Sequence, residues 1–324
     1  MAAGTPYLLV LATWVALVMP AGCDVREPEA PLAVEAGDDW RASFHHRVVD
    51  SSPPATYRIN DLRIGDLDND GRPDIWTSGR GGGASAYQMI WYRNPEWKPQ
   101  RIAPGDYKYG NLGDLDGDGD LDVVVGSEWF ENGGPGAKGD WSRHALGHEY
   151  VPDLVHLGDV DADGRLDVVF TTKRELFWLP APQDPVSPWP LVRIARDDAR
   201  RTGGALADLD DDGDVDVLWG NAWFEQPPDP RSEPWARHPV DPDWPAEARG
   251  AVGDIDGDGR LDVVLSGEES DHGVSWYRSS SQREGIGWAP TPIVSVGYTG
   301  VHSLELLTPS LDPRALTLQE GIHP

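Results

Sequence analysis

The sequence predicts an all-β chain, a β-propeller of four-stranded blades, and three observations carry that expectation. A nine-residue acidic motif recurs five times: the first copy is Asp66-Leu67-Asp68-Asn69-Asp70-Gly71-Arg72-Pro73-Asp74, and the others start at Asp114, Asp159, Asp208 and Asp254. The separations of 48, 45, 49 and 46 residues match a four-stranded blade and exceed most helical repeats. With 37 Gly and 29 Pro in 324 residues, the chain calls for many turns and few long helices.

Each repeat reads as the same run of elements. A short apolar stretch ends in Gly or Ala just before the acidic loop (Ile64-Gly65, Leu112-Gly113, Leu157-Gly158, Leu206-Ala207, Val252-Gly253). A β-branched or aliphatic run follows, such as Val123-Val124-Val125, and then an aromatic pair: Trp91-Tyr92, Trp129-Phe130, Phe177-Trp178, Trp223-Phe224, Trp276-Tyr277. Past a Pro- or Gly-rich loop, a second Trp (Trp97, Trp141, Trp189, Trp235, Trp288) leads into a last short strand. Four strand-like runs per unit, separated by turn residues, make a blade, and such units bury their faces when arranged radially. Trp40 to Val49 repeats the second-Trp strand without its loop, so it is expected to close the ring as an outer strand. Tyr298 to Leu306 resembles a further inner strand, but Leu307-Thr308-Pro309-Ser310-Leu311-Asp312-Pro313 replaces a sixth acidic loop. The expectation is five complete blades and an incomplete sixth, with residues 307–324 a degenerate or truncated tail.

At the amino terminus, Leu8 to Met19 is a twelve-residue apolar run followed by Pro20-Ala21-Gly22-Cys23. The run is short for a membrane span and ends in small residues, so residues 1–23 read as an export signal. The small-small-Cys ending resembles a bacterial lipobox, with Cys23 as the acylated residue; Pro20 and the missing basic residues depart from that pattern, and plain secretion or an uncleaved anchor is the other reading. Residues 24–39, rich in Pro, Ala and Glu, read as a flexible tether, and residues 40–306 as the propeller. The expected location is periplasmic or at the cell surface, with a lipid anchor if Cys23 is acylated.

A formal net charge of −28 makes nucleic acid a poor partner. One cysteine excludes an internal disulfide framework and a Cys-based zinc cluster. Much of the acidity lies in the loops, which use 20 of the 55 acidic residues. Carboxylates at loop positions 1, 3, 5 and 9 are the expected metal ligands: Asp66, Asp68, Asp70 and Asp74; Asp114, Asp116, Asp118 and Asp122; Asp159, Asp161, Asp163 and Asp167; Asp208, Asp210, Asp212 and Asp216; Asp254, Asp256, Asp258 and Asp262. Such hard oxygens suit about five Ca²⁺, and Mg²⁺ less, because it keeps several waters. Position 7 varies (Arg72, Asp120, Arg165, Asp214, Arg260), as fits a main-chain carbonyl ligand. The glycine at position 6 is expected where a side chain would obstruct the turn. An EF-hand is excluded, since position 12 is Thr77, Val125, Phe170, Trp219 or Leu265 rather than Glu.

These Asp-x-Asp-x-Asp-Gly-x-x-Asp loops, repeated between about Trp40 and Leu306, resemble the FG-GAP/VCBS repeat family, the bladed repeat of integrin α-subunit propellers and many exported bacterial proteins. The resemblance implies Ca²⁺ held between two strands of each blade in a structural role. Integrin-type propellers have seven blades, where this chain shows five and part of a sixth.

The segments entering the inner strands lie at the ring face opposite the acidic loops and mix aromatic with charged residues. Lys108, Tyr109, Tyr150, His156, Arg201, Trp244, Arg249 and His302 are the candidate ligand-binding residues, suited to a polysaccharide or an extracellular or periplasmic protein. No nucleophile elbow or His-Glu-x-x-His motif is present, and no catalytic residue is assigned. A non-enzymatic binding or adhesion scaffold is the first reading. A carbohydrate-active lyase or dehydratase on the same propeller is the alternative, since some such enzymes carry similar loops.

Overall fold

Turn-bounded runs of three to ten residues, many of them rich in Val, Trp and Phe, become strands throughout the computed structural model, which describes residues 8–11, 48–50, 58–80, 87–104, 107–134, 141–267, 272–282, 285–294 and 304–307. Strand β1 (Leu8–Leu11) comes first. Blade 1 is β2 (Arg58–Gly65), β3 (Asp74–Arg80), β4 (Tyr87–Arg93) and β5 (Lys98–Pro104). Blade 2 is β6 (Gly110–Gly113), β7 (Asp122–Val125), β8 (Glu128–Glu131) and β9 (Ser142–Ala145). Blade 3 is β10 (Leu154–Gly158), β11 (Asp167–Thr171), β12 (Glu175–Leu179) and β13 (Val192–Arg196). Blade 4 is β14 (Ala205–Ala207), β15 (Asp216–Trp219), β16 (Ala222–Glu225) and β17 (Ala236–Pro239). Blade 5 is β18 (Ala248–Gly253), β19 (Asp262–Gly267), β20 (Val274–Gln282) and β21 (Gly285–Val294), and β22 (Leu304–Leu307) ends the series. Each blade is a four-stranded antiparallel meander in chain order, so the all-β, bladed expectation holds, and no described residue is helical.

Burial explains the sequence pattern. The second strand of a blade is covered on both faces, and Asp122–Val125 and Asp216–Trp219 are buried at every position; hence the unbroken apolar run. The fourth strand lies at the rim, where Ser142–Ala145 and Ala236–Pro239 are mostly exposed. The cores lie between blades. Val123, Val125 and Phe130 of blade 2 pack with Trp76 and Trp91 of blade 1, and Val168, Phe170 and Phe177 of blade 3 pack with Val124 and Trp129 of blade 2. Trp76, Trp129, Trp178 and Trp219 are fully buried, each stabilising the packing by about 3 kcal/mol.

The second Trp reaches back to the preceding blade. Trp141 meets Trp91 edge to face at 6.5 Å, Trp189 joins the blade 2–3 core, Trp235 the blade 3–4 core and Trp288 the blade 4–5 core. Leu112, Leu157 and Leu206 pack backward in the same way, while the corresponding Ile64 of blade 1 is 49% exposed.

Inner strands neighbour one another in order, and β22 lies beside β18 where a sixth inner strand belongs. Its other edge pairs antiparallel with β1, Leu8 opposite Leu307, so a strand from the segment read as an export signal joins this position. The closing strand expected at Trp40–Val49 lies outside the described residues except for Val48 and Val49, which are not in a strand. Cys23, residues 24–39 and His302 also lie outside them. Among the described residues, no helix is long and apolar enough to cross a membrane.

Candidate metal centres

Each acidic loop joins the first strand of a blade to the second, and its carboxylates hold the backbone in one shape. The position 1 carboxylate accepts the amides of positions 5 and 6 at 2.7–3.1 Å in all five blades. Position 5 accepts the position 7 amide at 2.9–3.0 Å. Position 9 opens the second strand, and Asp74, Asp122, Asp167, Asp216 and Asp262 are 0–1% exposed. Each accepts the position 2 amide with one oxygen and, with the other, an amide just beyond the aromatic pair, at 2.7–3.2 Å.

Position 6 is glycine for a reason other than the one expected. Its φ lies between +84° and +96° in all five loops, and an added Cβ would meet nothing within 4 Å; backbone conformation, and not space, selects glycine. Position 4 is also left-handed, at Asn69, Gly117, Ala162, Asp211 and Gly257. The small or Asx residues there were the sequence signal for it.

The loops bring carboxylate oxygens together in every blade. The groups are Asp66, Asp68 and Asp70; Asp114, Asp116 and Asp122; Asp159, Asp161 and Asp167; Asp208, Asp210 and Asp216; and Asp254, Asp256 and Asp262, with the oxygens of each group within 4.8 Å of one another. That span fits one coordination shell, because Ca²⁺–oxygen distances of about 2.3–2.6 Å put opposite ligands about 4.6–5.2 Å apart. Asp74 and the position 5 residues Asp118, Asp163, Asp212 and Asp258 belong to the same loops and make the loop hydrogen bonds just given.

The carboxylates are under strain of charge. Asp68 Oδ1, Asp161 Oδ1 and Asp210 Oδ1 are buried with no hydrogen-bond partner among the described residues. Burial, opposed by the two amide bonds and reinforced by neighbouring carboxylates, pushes Asp122 up to about 7 and Asp216 to about 8. Burial does the same to Asp167 and, with the surrounding carboxylates, to Asp210, both up to about 6. A cation relieves what burial and repulsion impose. The donors are oxygens alone, which suits a hard divalent ion and not a thiolate- or imidazole-seeking one.

Position 7 plays a part that sequence reasoning missed. Arg72, Arg165 and Arg260 pair through their guanidiniums with the position 5 carboxylates Asp70, Asp163 and Asp258, so the side chain there is not indifferent.

At the entry ends of the inner strands the candidate ligand residues divide. Lys108 is exposed and Tyr109 half-buried. Tyr150 is 39% exposed, its ring 4.5 Å from Phe177 and 6.1 Å from both His148 and Phe170. Trp244 packs edge to face on Tyr277 at 6.0 Å within the blade 4–5 core. Arg201 is turned inward, 2% exposed, with Asp197 at 2.7 Å, Asn221 at 2.7 Å and the Trp219 carbonyl at 3.2 Å as partners.

His156, on β10, lies within reach of the charges of Arg249, on β18, and of Arg63, on β2; Arg63 bonds Asp61 at 2.7 Å, and Asp61 also accepts the Gly110 amide at 2.9 Å. Burial, with Arg63 and Arg249 nearby, pushes His156 down to about 4. Arg249 also acts on Asp61, so side chains of the first and fifth inner strands approach each other, as a radial arrangement requires. His148, half-buried with its ring stacked on Phe170 at 4.5 Å, is likewise lowered to about 4.

Both imidazoles carry a folded value below the unfolded one of about 6.5, so the stability they confer is present above that pH and is lost as pH falls through about 4. His156→Gln is therefore expected to flatten the fall of unfolding free energy between pH 6.5 and 4 by about 1–3 kcal/mol. Parallel acid slopes for the variant and the natural protein in urea titrations would contradict this.

The sheets and loops define the class: a repeat β-propeller with an oxygen-donor loop in every blade. The model of the FG-GAP-like repeat matches residues 66–125 and 114–170, and those matches and the repeated four-stranded sheets fit an FG-GAP/VCBS repeat β-propeller. No curated protein matches the sequence. Among solved structures, the chain is similar to an Agrocybe aegerita lectin that specifically recognises non-reducing terminal N-acetylglucosamine, with TM-score 0.50 and 15% identity over 78% of this chain and 74% of the lectin. It is also similar to the V. cholerae biofilm matrix protein Bap1, with TM-score 0.44 and 13% identity over 69% of this chain and 38% of that one. At these identities the likeness is one of fold.

Proposed function

We propose that the chain is a calcium-binding propeller acting as a non-enzymatic scaffold that binds a polysaccharide or protein. The observation that carries the calcium part is the set of five carboxylate groups, three of them holding a buried oxygen without a partner. The resident ion supplies positive charge that lets the loops stay folded with their carboxylates ionised. In blades 2 to 5, positions 1, 3 and 9 hold it, and in blade 1 positions 1, 3 and 5; the backbone amides keep those oxygens in place.

The ligand face is the one opposite the loops. A four-residue inner strand such as Gly110–Gly113 separates the two by about 13 Å, so a ligand at the entry segments does not compete with the metal. Tyr150, exposed yet braced by Phe177, offers a rigid stacking surface next to the exposed Glu149.

A glycan array that includes N-acetylglucosamine-terminated chains and acidic polysaccharides, followed by titration of the best binder, tests this. Tyr150→Ala is expected to weaken binding about tenfold, or ~1.4 kcal/mol, while the calcium-dependent rise in melting temperature persists. Unchanged affinity in that variant places the ligand elsewhere, and release of shortened or unsaturated sugars makes the protein an enzyme instead.

A further inference from the structure

We propose that the five metal sites form two classes, the loops of blades 2 and 4 binding Ca²⁺ more tightly than those of blades 1, 3 and 5; this rests on the calcium reading above. The basis is what stands next to the position 3 carboxylate. In blade 1 Asp68 pairs with Arg93, and in blade 5 Asp256 pairs with Arg278, each arginine directly following the aromatic pair. In blade 3 the partner comes from the neighbouring blade, Arg231 reaching Asp161 Oδ2 at 3.1 Å. The residue after the aromatic pair in blades 2 and 4 is instead a glutamate, Glu131 or Glu225, close enough to act on Asp116 or Asp210 as a second negative charge.

Those glutamates are held in place. His144 Nε2 lies 2.7 Å from Glu131 Oε2 and stacks on Trp129 at 4.5 Å; His238 lies 2.6 Å from Glu225 Oε2 and stacks on Trp223 at 4.5 Å. The same alternation recurs at position 7, where blades 1, 3 and 5 carry Arg72, Arg165 and Arg260 paired to position 5, and blades 2 and 4 carry Asp120 and Asp214.

The formal charges follow. Four loop carboxylates and two arginines leave −2 around the sites of blades 1, 3 and 5, whereas six carboxylates give −6 around that of blade 2 and seven, with Asp211, give −7 around that of blade 4. Oxygen-ligand sites are tuned over orders of magnitude by the charge they present and by rigidity. In the first group an incoming ion must also compete with a guanidinium already seated on a ligand. These arginines stand in for part of the ion's charge, so the odd-numbered loops keep their shape with little metal and the even-numbered loops depend on it.

Calorimetric titration of the metal-depleted full chain with Ca²⁺ alone tests this. The expected isotherm has a tight phase of two ions followed by a weaker phase, at least about tenfold apart. The double substitution Glu131→Gln with Glu225→Gln is expected to weaken the tight phase and draw the two together; Arg93→Gln with Arg278→Gln is expected to move two further ions toward the tight one. Both pairs preserve side-chain shape, and a melt of each calcium-saturated variant verifies its fold. A single class of equivalent ions, or a tight phase untouched by the glutamate substitutions, overturns the two-class assignment while leaving calcium binding intact. No binding at all removes the calcium reading and this assignment with it.

Discussion

Chelation with EGTA is expected to lower the melting temperature by about 7–10 °C, and excess Ca²⁺ to restore it where equal Mg²⁺ does not. Positions 1, 3, 5 and 9 of the loops assemble 20 aspartates, three with buried oxygens that no described residue satisfies. An ion bound only by the folded state and present about 100-fold above its dissociation constant adds about 2.7 kcal/mol. Two such ions contribute about 5 kcal/mol, the lower end of a typical domain's whole net stability, and about 1.5–2 °C per kcal/mol is the scale at this chain length. Mg²⁺ dehydrates reluctantly and favours sites that leave it several waters, unlike loops that press three carboxylates within 4.8 Å. An unchanged melting temperature in EGTA, from protein shown by elemental analysis to be metal-free, would falsify the structural role of the loops.

The bladed architecture was legible because it is written locally and five times over. An acidic turn, an all-buried strand such as Asp122–Val125, an aromatic pair and a rim strand recur in phase, and each reports its own burial. The second Trp was legible as a strand marker, but its backward reach to the preceding blade was not, since that contact joins residues about 50 apart, as Trp91 and Trp141 show. At the metal loops the four carboxylate positions could be read from oxygen chemistry. Their division of labour could not: position 9 is bound to two amides from different segments, one of them across the blade, and only the folded sheet reveals that. The ligand face was the least legible part. Arg201 looks like any exposed loop arginine in sequence, yet Asp197, Asn221 and the Trp219 carbonyl draw it into the interior. The odd-even alternation of Arg93 and Arg278 with Glu131 and Glu225 was visible as letters, and gains meaning only where those side chains meet position 3.

Asp167→Ala is expected to destabilise the protein by about 3–6 kcal/mol whether or not calcium is present, and Asp161→Ala only when it is. The two residues belong to one carboxylate group but are tied into the protein differently. Asp167 is fully buried and accepts the Val160 amide at 3.0 Å, Trp178 Nε1 at 2.9 Å and the Ala181 amide at 2.7 Å. Truncation strands three buried donors, each costing about 1–3 kcal/mol, and Trp178 is itself at the centre of the blade 3–4 core. Among the described residues, Asp161 accepts only from Arg231 at the surface, and its Oδ1 has no partner. Its removal from the metal-free protein relieves a buried charge and sacrifices little, so stability in EGTA should be unchanged or slightly higher. With Ca²⁺ the order of cause reverses: loss of Asp161 costs a ligand and with it the ion's contribution in blade 3. Urea unfolding of both variants with EGTA and with Ca²⁺ gives the four free energies that decide this. If Asp167→Ala loses stability only in calcium, position 9 is a ligand first, and the amide bonds that it accepts are too weak to hold the loop to the sheet.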